Sequence, residues 1–302
     1  MIKVAISGLG NLGKYAIEAI ESAPDMECIA VLRRKESLGT KPLDLRAVPD
    51  FDSIENAEAA VGKADVIIIC EPSRSVPDTA AKYLAKGYHT VDSYDVHTGI
   101  VDLLDRLQPI AEKAGKAAIV SAGWDPGTDS ALRAYFEAMA PIGATFTNFG
   151  RGRSMGHSVV ARGIKGVKDA VSITIPIGGG AHSRLVYVEL EQGESLATVK
   201  ERIQADDYFS HDPLHVVEVD SVDAVADSSH GVLLERVGGF GSVSNQNLKF
   251  DMRINNPALT AQVLVSCARA AAKMPAGAHT LIDIPPVYLL AGERKALIKR
   301  LV

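Results

Sequence analysis

Near its N-terminus the chain reads Ile2-Lys3-Val4-Ala5-Ile6-Ser7 and then Gly8-Leu9-Gly10-Asn11-Leu12-Gly13. A short apolar run that stops at glycines spaced G-x-G-x-x-G, then resumes at helical spacing from Leu12 to Ser22, constrains the fold more than any other segment. Gly8 permits a tight turn, Gly10 lets the main chain approach an anion, and Gly13 lets the helix pack on the strand. The start of that helix presents unbonded N–H groups to the same anion. The segment is therefore read as the strand, turn and helix of a dinucleotide-binding fold, with Gly8, Gly10, Asn11, Leu12 and Gly13 at the cofactor.

The pattern continues downstream. Apolar, largely β-branched runs at Cys28 to Leu32, Val66 to Cys70, Thr90 to Val91 and Ala117 to Val120 alternate with helical segments at Val76 to Lys86 and Val101 to Ala114. The last carries Leu103, Leu104, Leu107 and Ile110 along one stripe. Strands without polar alternation, separated by helices, predict a Rossmann-type doubly wound parallel sheet over residues 1–121. After Ser121 the texture changes to Gly123-Trp124-Asp125-Pro126-Gly127, a helix from Ser130 to Met139, and glycine-rich polar loops through Gly156. Strands are expected at Val171 to Ile177, Arg184 to Glu191, His215 to Val219, Val232 to Arg236 and Leu248 to Ile254, with a helix near Leu196 to Ala205. Together with a helix over Pro257 to Ala272 they predict an α+β substrate-binding and dimerisation domain with a mixed sheet, residues 122–274. A tail from about residue 275 to 302 is expected to return to the first domain.

Charge and cysteine usage narrow the function. Lys and Arg total 32 against 37 for Asp and Glu, a net −5 without blocks of like charge, which argues against a nucleic-acid binder. Cys28, Cys70 and Cys267 lie far apart, and neither they nor the 8 histidines show metal-ligand spacing. No metal is expected, and the thiols are read as reduced, in a cytoplasmic protein. The chain enters a strand at Ile2, leaving no export signal, and the uncharged run from Ile254 to Ala268 contains Asn255, Asn256 and Pro257, so no membrane span is expected.

Coenzyme choice is written at the end of the second strand. An NAD site places a carboxylate about twenty residues beyond the glycine turn. Here the strand runs into Leu32-Arg33-Arg34-Lys35, three cations suited to the 2′-phosphate of NADP. The third strand leads into Glu71-Pro72-Ser73-Arg74, a loop beside the cofactor by the switch-point rule. Ser73 offers a hydroxyl contact and Arg74 either a contact or a surface charge. Cys70 reads as a small core residue next to the cofactor, not a nucleophile. The loops Asp92-Ser93-Tyr94-Asp95 and Gly123-Trp124-Asp125 leave the same sheet edge, so their carboxylates converge on one crevice and suit a substrate bearing an ammonium group. The alternative is that Asp92 and Asp125 cap turns and Trp124 anchors packing.

Four stretches taken together, Asp92-Ser93-Tyr94-Asp95, Ser121-Ala122-Gly123-Trp124-Asp125-Pro126-Gly127, Thr147-Asn148-Phe149-Gly150 through Ser154-Met155-Gly156-His157-Ser158, and Met252-Arg253-Ile254-Asn255-Asn256-Pro257-Ala258, resemble the meso-diaminopimelate dehydrogenase family over nearly the whole chain. The resemblance implies NADP-dependent oxidative deamination of meso-2,6-diaminopimelate at its D-centre, giving L-2-amino-6-oxopimelate and ammonia, in lysine biosynthesis. It implies a homodimer, with Asp95 and Asp125 as the catalytic pair at the amino group. Asp92, Trp124, Phe149, Met155 and Gly156 would line the substrate, and Thr174, Arg184, His230 and Asn256 would hold its distal end and carboxylates. Related reductases with a lysine/histidine pair or a cysteine nucleophile fit less well, since neither arrangement occurs at a comparable place. A broader D-amino-acid dehydrogenase on the same scaffold, or a non-catalytic NADPH-sensing protein, are the competing readings.

Overall fold

The computed structural model describes residues 1–39, 48–149, 152–178, 181–225 and 230–302, without the side chains of residues 153, 155, 178 and 224. It forms two compact units, Met1–Leu132 with Pro257–Val302, and Arg133–Asn256.

The first unit starts with β1 (Ile2–Ser7), α1 (Asn11–Glu21), β2 (Met26–Leu32), β3 (Asp50–Phe51), α2 (Ile54–Val61), β4 (Val66–Ile69), α3 (Val76–Ala85), β5 (His89–Asp92), α4 (Ile100–Ala114) and β6 (Ala117–Ile119). Helix α5 (Thr128–Met139) carries the chain into the second unit. There follow β7 (Ile142–Phe149), β8 (Gly152–Ser154), α6 (Met155–Arg162), β9 (Val167–Gly178), β10 (Ala181–Leu190), α7 (Leu196–Gln204), β11 (Leu214–Glu218), β12 (His230–Phe240) and β13 (Val243–Ile254). Helix α8 (Asn256–Ala271), β14 (Gly277–His279) and α9 (Arg294–Leu301) complete the first unit.

Seven parallel strands in the order β14-β6-β5-β4-β1-β2-β3 form the first sheet. Successive side chains of a strand point to opposite faces. Val4, Ile6, Ile68 and Ile119 pack with Ile17 and Ile20 of α1 and Leu264 and Val265 of α8. Ala5, Ile67, Ile69 and Ala118 pack with Leu84, Leu103 and Leu107 of α3 and α4 on the other face. Covering both faces is why these strands read as unbroken apolar runs.

The units divide at 132/133 and 256/257, whereas the sequence suggested 121/122 and about 274/275. The second boundary moves because α8 buries Ala261, Leu264, Val265, Cys267 and Ala268 in the core of the first unit. Arg269 of α8 also grips Asp25, on the turn before β2, through two bonds of 2.6 and 2.8 Å. That guanidinium holds the Asp25 carboxyl below its ordinary pKa.

The second unit holds two sheets where one mixed sheet was expected. Strands β11-β10-β9-β8 form a mixed sheet, with β11 parallel to β10 and the other pairs antiparallel. Strands β13-β12-β7 form a separate antiparallel sheet. The difference comes from β7, whose Gly143, Thr145 and Asn148 make it look like a polar loop, yet it pairs with β12 from Ile142 to Phe149. Among the described residues no helix is long and apolar enough to cross a membrane.

Candidate active site

The glycine turn has the shape its spacing demands. Gly8 adopts φ +98°, and a Cβ there would lie 2.6 Å from the carbonyl oxygen of Cys70. A Cβ on Gly13 would lie 2.3 Å from the carbonyl oxygen of Gly8, whereas one on Gly10 would meet nothing within 4 Å. Side chains are thus excluded where the turn packs on itself, and open space remains where an anion would approach. Helix α1 begins at Asn11 with no side-chain cap and no acidic residue in its first turn. Its first N–H groups and its dipole are suited to a pyrophosphate, so the residues fit a dinucleotide.

At the end of β2 the cations do not stand alone. Strand β3 runs parallel to β2 and sets Asp50 beside Arg33, whose NH1 donates to Asp50 Oδ2 at 3.2 Å. The expected run of cations without an acid is therefore corrected by one carboxylate, from a strand too short to show in the sequence. Arg34, near Glu36 at 3.5 Å, and Lys35 are exposed. Residues 40–47, which follow this turn, lie outside the described set.

The loop after β4 is fastened from several sides. Cys70 donates its N–H to Ser7 at 2.7 Å. Its thiol is buried among Val4, Ile6 and Ile68, and burial pushes its pKa far above the ordinary thiol value. Cys70 therefore serves the turn through its main chain and the core through its sulfur. Glu71, which the sequence reading passed over, accepts from Ser7 Oγ at 2.6 Å, Ser75 Oγ at 3.0 Å and Thr79 Oγ1 at 3.0 Å. Its hydroxyl partners at positions 75 and 79, one helical turn apart, were the available signal. Ser73 donates to Asp95 Oδ1 at 2.5 Å and accepts from the Asp95 N–H at 3.2 Å, tying this loop to the next. Arg74 is exposed.

Asp92 was expected among the substrate contacts, and the structure instead puts its carboxyl inside the protein at 0% exposure. Oδ1 accepts from the N–H of Tyr94 at 3.0 Å and of Ser121 at 3.1 Å, while Oδ2 is buried and has no hydrogen-bond partner among the described residues. Burial raises this carboxyl to about 6, against the pull of the two N–H groups. Asp92 therefore braces the roots of both loops that carry the acidic pair. Those loops touch: a Cβ on Gly123 would lie 3.9 Å from Cβ of Ser93. The 123–127 turn closes on itself through Gly123 N–H to Pro126 O at 3.0 Å. Gly127 sits at φ +144°, where a Cβ would collide with Gly123 O. Trp124 is 5% exposed, and Asp125 is the half-buried residue between buried Trp124 and Pro126.

The remaining candidates lie in the second unit and gather around a guanidinium. Arg184 stands opposite Thr174 in the β9–β10 ladder. Its NH1 donates to Thr174 Oγ1 at 2.7 Å, its NH2 to His182 Nε2 at 2.8 Å and its Nε to Asp212 Oδ2 at 2.7 Å. Burial lowers the guanidinium pKa and Asp212 raises it. The Phe149 ring lies edge-on to His182 at 5.3 Å and stacks on His230 at 6.2 Å. His230, expected on a polar loop, is the first residue of β12 and is buried. His157 bonds Ser154 Oγ through Nδ1 at 2.9 Å, and burial, then Arg184, push it down to about 3, so its ring is neutral. His182 and Asp212 were not singled out from sequence: His182 shares a face of β10 with Arg184 at a spacing of two, a signal that was available, whereas only the loop before β11 brings Asp212 to Arg184. Gly156 lies in the first turn of α6 and Asn256 opens α8; the side chain of Met155 lies outside the described set. Among the described residues no cluster of three His, Cys, Asp or Glu side chains could hold a metal ion.

A parallel sheet with a glycine turn at β1, and a loop-borne acidic pair leaving β5 and β6, defines an oxidoreductase with a dinucleotide-binding Rossmann domain. Residues 2–122 match the oxidoreductase family model with an NAD-binding Rossmann fold, and residues 123–256 match the diaminopimelic acid dehydrogenase C-terminal domain. The chain belongs to the meso-diaminopimelate D-dehydrogenase family: it is 48% identical over 301 residues to the Bacteroides fragilis enzyme of that name, covering 100% of this chain and 99% of the relative. The C. glutamicum DAP dehydrogenase in complex with DAP superposes with a TM-score of 0.88 at 29% identity, covering 100% and 99% of the two chains. An engineered D-amino acid dehydrogenase bound to NADP+ gives 0.87 at 28% identity, with the same coverage.

Proposed function

We propose that the protein catalyses the reversible NADP-dependent oxidative deamination of meso-2,6-diaminopimelate at its D-configured carbon. Substrate, NADP+ and water give L-2-amino-6-oxopimelate, ammonium, NADPH and a proton. The observation that carries this reading is the acidic pair, Asp95 and Asp125, on two loops in contact at Ser93 and Gly123, at the sheet edge that bears the glycine turn.

The ammonium group must lose a proton before its carbon can give up hydride. Asp95 and Asp125 hold the amino group, take that proton directly or through water, and stabilise the cation that develops as the C–H bond breaks. Ser73 fixes Asp95 by a bond in each direction, so that carboxylate is oriented before substrate arrives. Trp124, closed into the 123–127 turn, excludes water from one side of the reacting carbon. A dinucleotide held by its pyrophosphate at the Gly8–Gly13 turn and the start of α1 would supply its nicotinamide as the hydride acceptor. Arg184, aligned by Thr174, anchors a distal carboxylate, with Phe149, Met155, Gly156, His230 and Asn256 completing the distal contacts. Arg34 and Lys35, with Arg33, favour the 2′-phosphate of NADP.

A homodimer fits the sheet β13-β12-β7, one face of which leaves Ile142, Phe146 and Val237 exposed at 64%, 40% and 44%. The three cysteines are read as reduced thiols, in keeping with a reducing cytoplasm. The test is coenzyme reduction with the meso, L,L and D,D isomers and either coenzyme. Turnover confined to the meso isomer and NADP+ is expected. Equal rates on D,D-diaminopimelate would favour a broader D-amino-acid dehydrogenase, and no reduction with any isomer would overturn the reading.

A further inference from the structure

The Arg184 cluster contains a carboxylate to which the reaction has so far given no task. Asp212 precedes β11, and its Oδ2 lies 2.7 Å from Arg184 Nε and 3.3 Å from His182 Nε2. The loop that presents it is fixed at both ends. Pro213 O accepts the main-chain N–H of Arg184 at 2.8 Å, so β10 holds the loop next to the side chain that Asp212 grips. Phe209 is fully buried and meets the ring of His157 edge-on at 5.2 Å, and Asp206 O accepts the N–H groups of Phe209 and Ser210 at 2.9 and 3.0 Å.

A guanidinium is planar, and its Nε–H defines how that plane is turned about the end of the aliphatic stem. Thr174 and His182 each bond one terminal nitrogen, and either contact alone leaves the plane free to swing. A rigid acceptor on Nε removes that freedom. It places a negative charge beside the arginine as well, which by itself would weaken attraction for an anionic ligand. The geometric and the Coulombic effects of Asp212 on carboxylate binding therefore have opposite signs, and an experiment can separate them.

We propose that Asp212 is a positioning residue for substrate specificity: by holding Nε of Arg184 from a fixed loop, it sets the terminal nitrogens in the orientation that receives the distal carboxylate of the substrate. The proposal rests on the reading of Arg184 as that anchor. Asp212 touches no reacting atom, so its removal acts on KM for the diamino diacid and leaves kcat and the KM for coenzyme unchanged.

The test compares Asp212→Ala, Asp212→Asn, Arg184→Lys and the double variant Asp212→Ala/Arg184→Lys, each checked by thermal melting, with steady-state kinetics on meso-diaminopimelate. Asp212→Ala is expected to raise KM about tenfold at unchanged kcat. Asp212→Asn, which keeps an acceptor for Nε–H, restores most of the loss. In the Arg184→Lys background, where there is no Nε to grip, Asp212→Ala has no further effect. A lower KM in both Asp212 variants would show that the carboxylate only competes with the ligand, and would overturn the proposal. So would additive effects in the double variant, or a high KM with Arg184→Lys beside a normal KM with Asp212→Ala. If Arg184→Lys itself leaves KM unchanged, the anchor reading fails, a result distinct from failure of Asp212 alone. Should Asp212→Ala not fold, Asp212→Asn in both backgrounds supplies the comparison: the proposal then expects a KM near that of the wild type, and a lowered KM overturns it.

Discussion

Replacing Asp92 with asparagine should change how stability depends on pH, in a direction and by an amount that follow from its surroundings. The carboxyl is fully buried, two N–H groups hold Oδ1, and burial lifts its pKa from 3.8 to about 6. Between those values the native protein keeps a proton that the unfolded chain has released. Stability from this group is therefore full below about pH 4, falls as pH rises, and is lost above about pH 6. Over the whole window the loss is about 3 kcal/mol, at 1.36 kcal/mol per pKa unit. Asparagine keeps a carbonyl oxygen for the two N–H groups and does not titrate. Urea unfolding of wild type and Asp92→Asn between about pH 4.5 and about pH 7 should then show the difference in stability moving toward the variant by about 2 kcal/mol. Because the loop braces survive, the variant should retain most of its turnover, while Asp92→Ala should not. Parallel pH curves for wild type and Asp92→Asn would refute the reasoning, since they would mean that the buried oxygen carries no penalty.

Other substitutions probe the remaining parts. Asp125→Asn should lower kcat at least ~100-fold with coenzyme KM unchanged, measured by reduction of NADP+ with meso-diaminopimelate. Arg34→Ala should raise KM for NADP+ roughly tenfold and leave KM for NAD+ as it was; Arg34 is the cleaner probe because losing Arg33 would also strip Asp50 of its cation. Gly13→Ala forces a Cβ against the Gly8 carbonyl, so urea melts should show a loss of ~1–3 kcal/mol and coenzyme should bind more weakly. Phe146→Glu should shift the light-scattering mass toward a monomer if the exposed face of β7 and β12 joins two copies.

The parts of the molecule that could be read from sequence are those whose signal is local. Gly8, Gly10 and Gly13 announce their turn because each glycine answers a constraint set by residues a few positions away. The runs at Ile2 to Ser7 and Val66 to Ile69 announce a sheet covered on both faces. Strand β7 was hidden because an outward-facing strand carries Gly143, Thr145 and Asn148 as comfortably as a loop does. Asp50 was hidden because β3 has two residues and takes its meaning from lying beside Arg33. Asp212 belongs to Arg184 only through a loop after α7, and no spacing in the chain reports such a meeting; His182, two residues from Arg184 on β10, shares its face by strand alternation. Asp92 shows the converse: a residue adjacent to a recognisable motif, whose burial gives it a task different from the one its neighbours suggested.

The division of the chain at 132/133 and 256/257 has a consequence for how the protein is made. When the ribosome has delivered strands β1 to β6, the sheet still lacks β14 on one edge, and α8, which shields Val4, Ile6 and Ile119, has not been translated. The nascent nucleotide-binding half must wait, with part of one apolar surface bare, through synthesis of the entire inserted unit. Chaperone dependence and sensitivity to truncation near the C-terminus should accordingly be concentrated in that half, although it is the first to emerge.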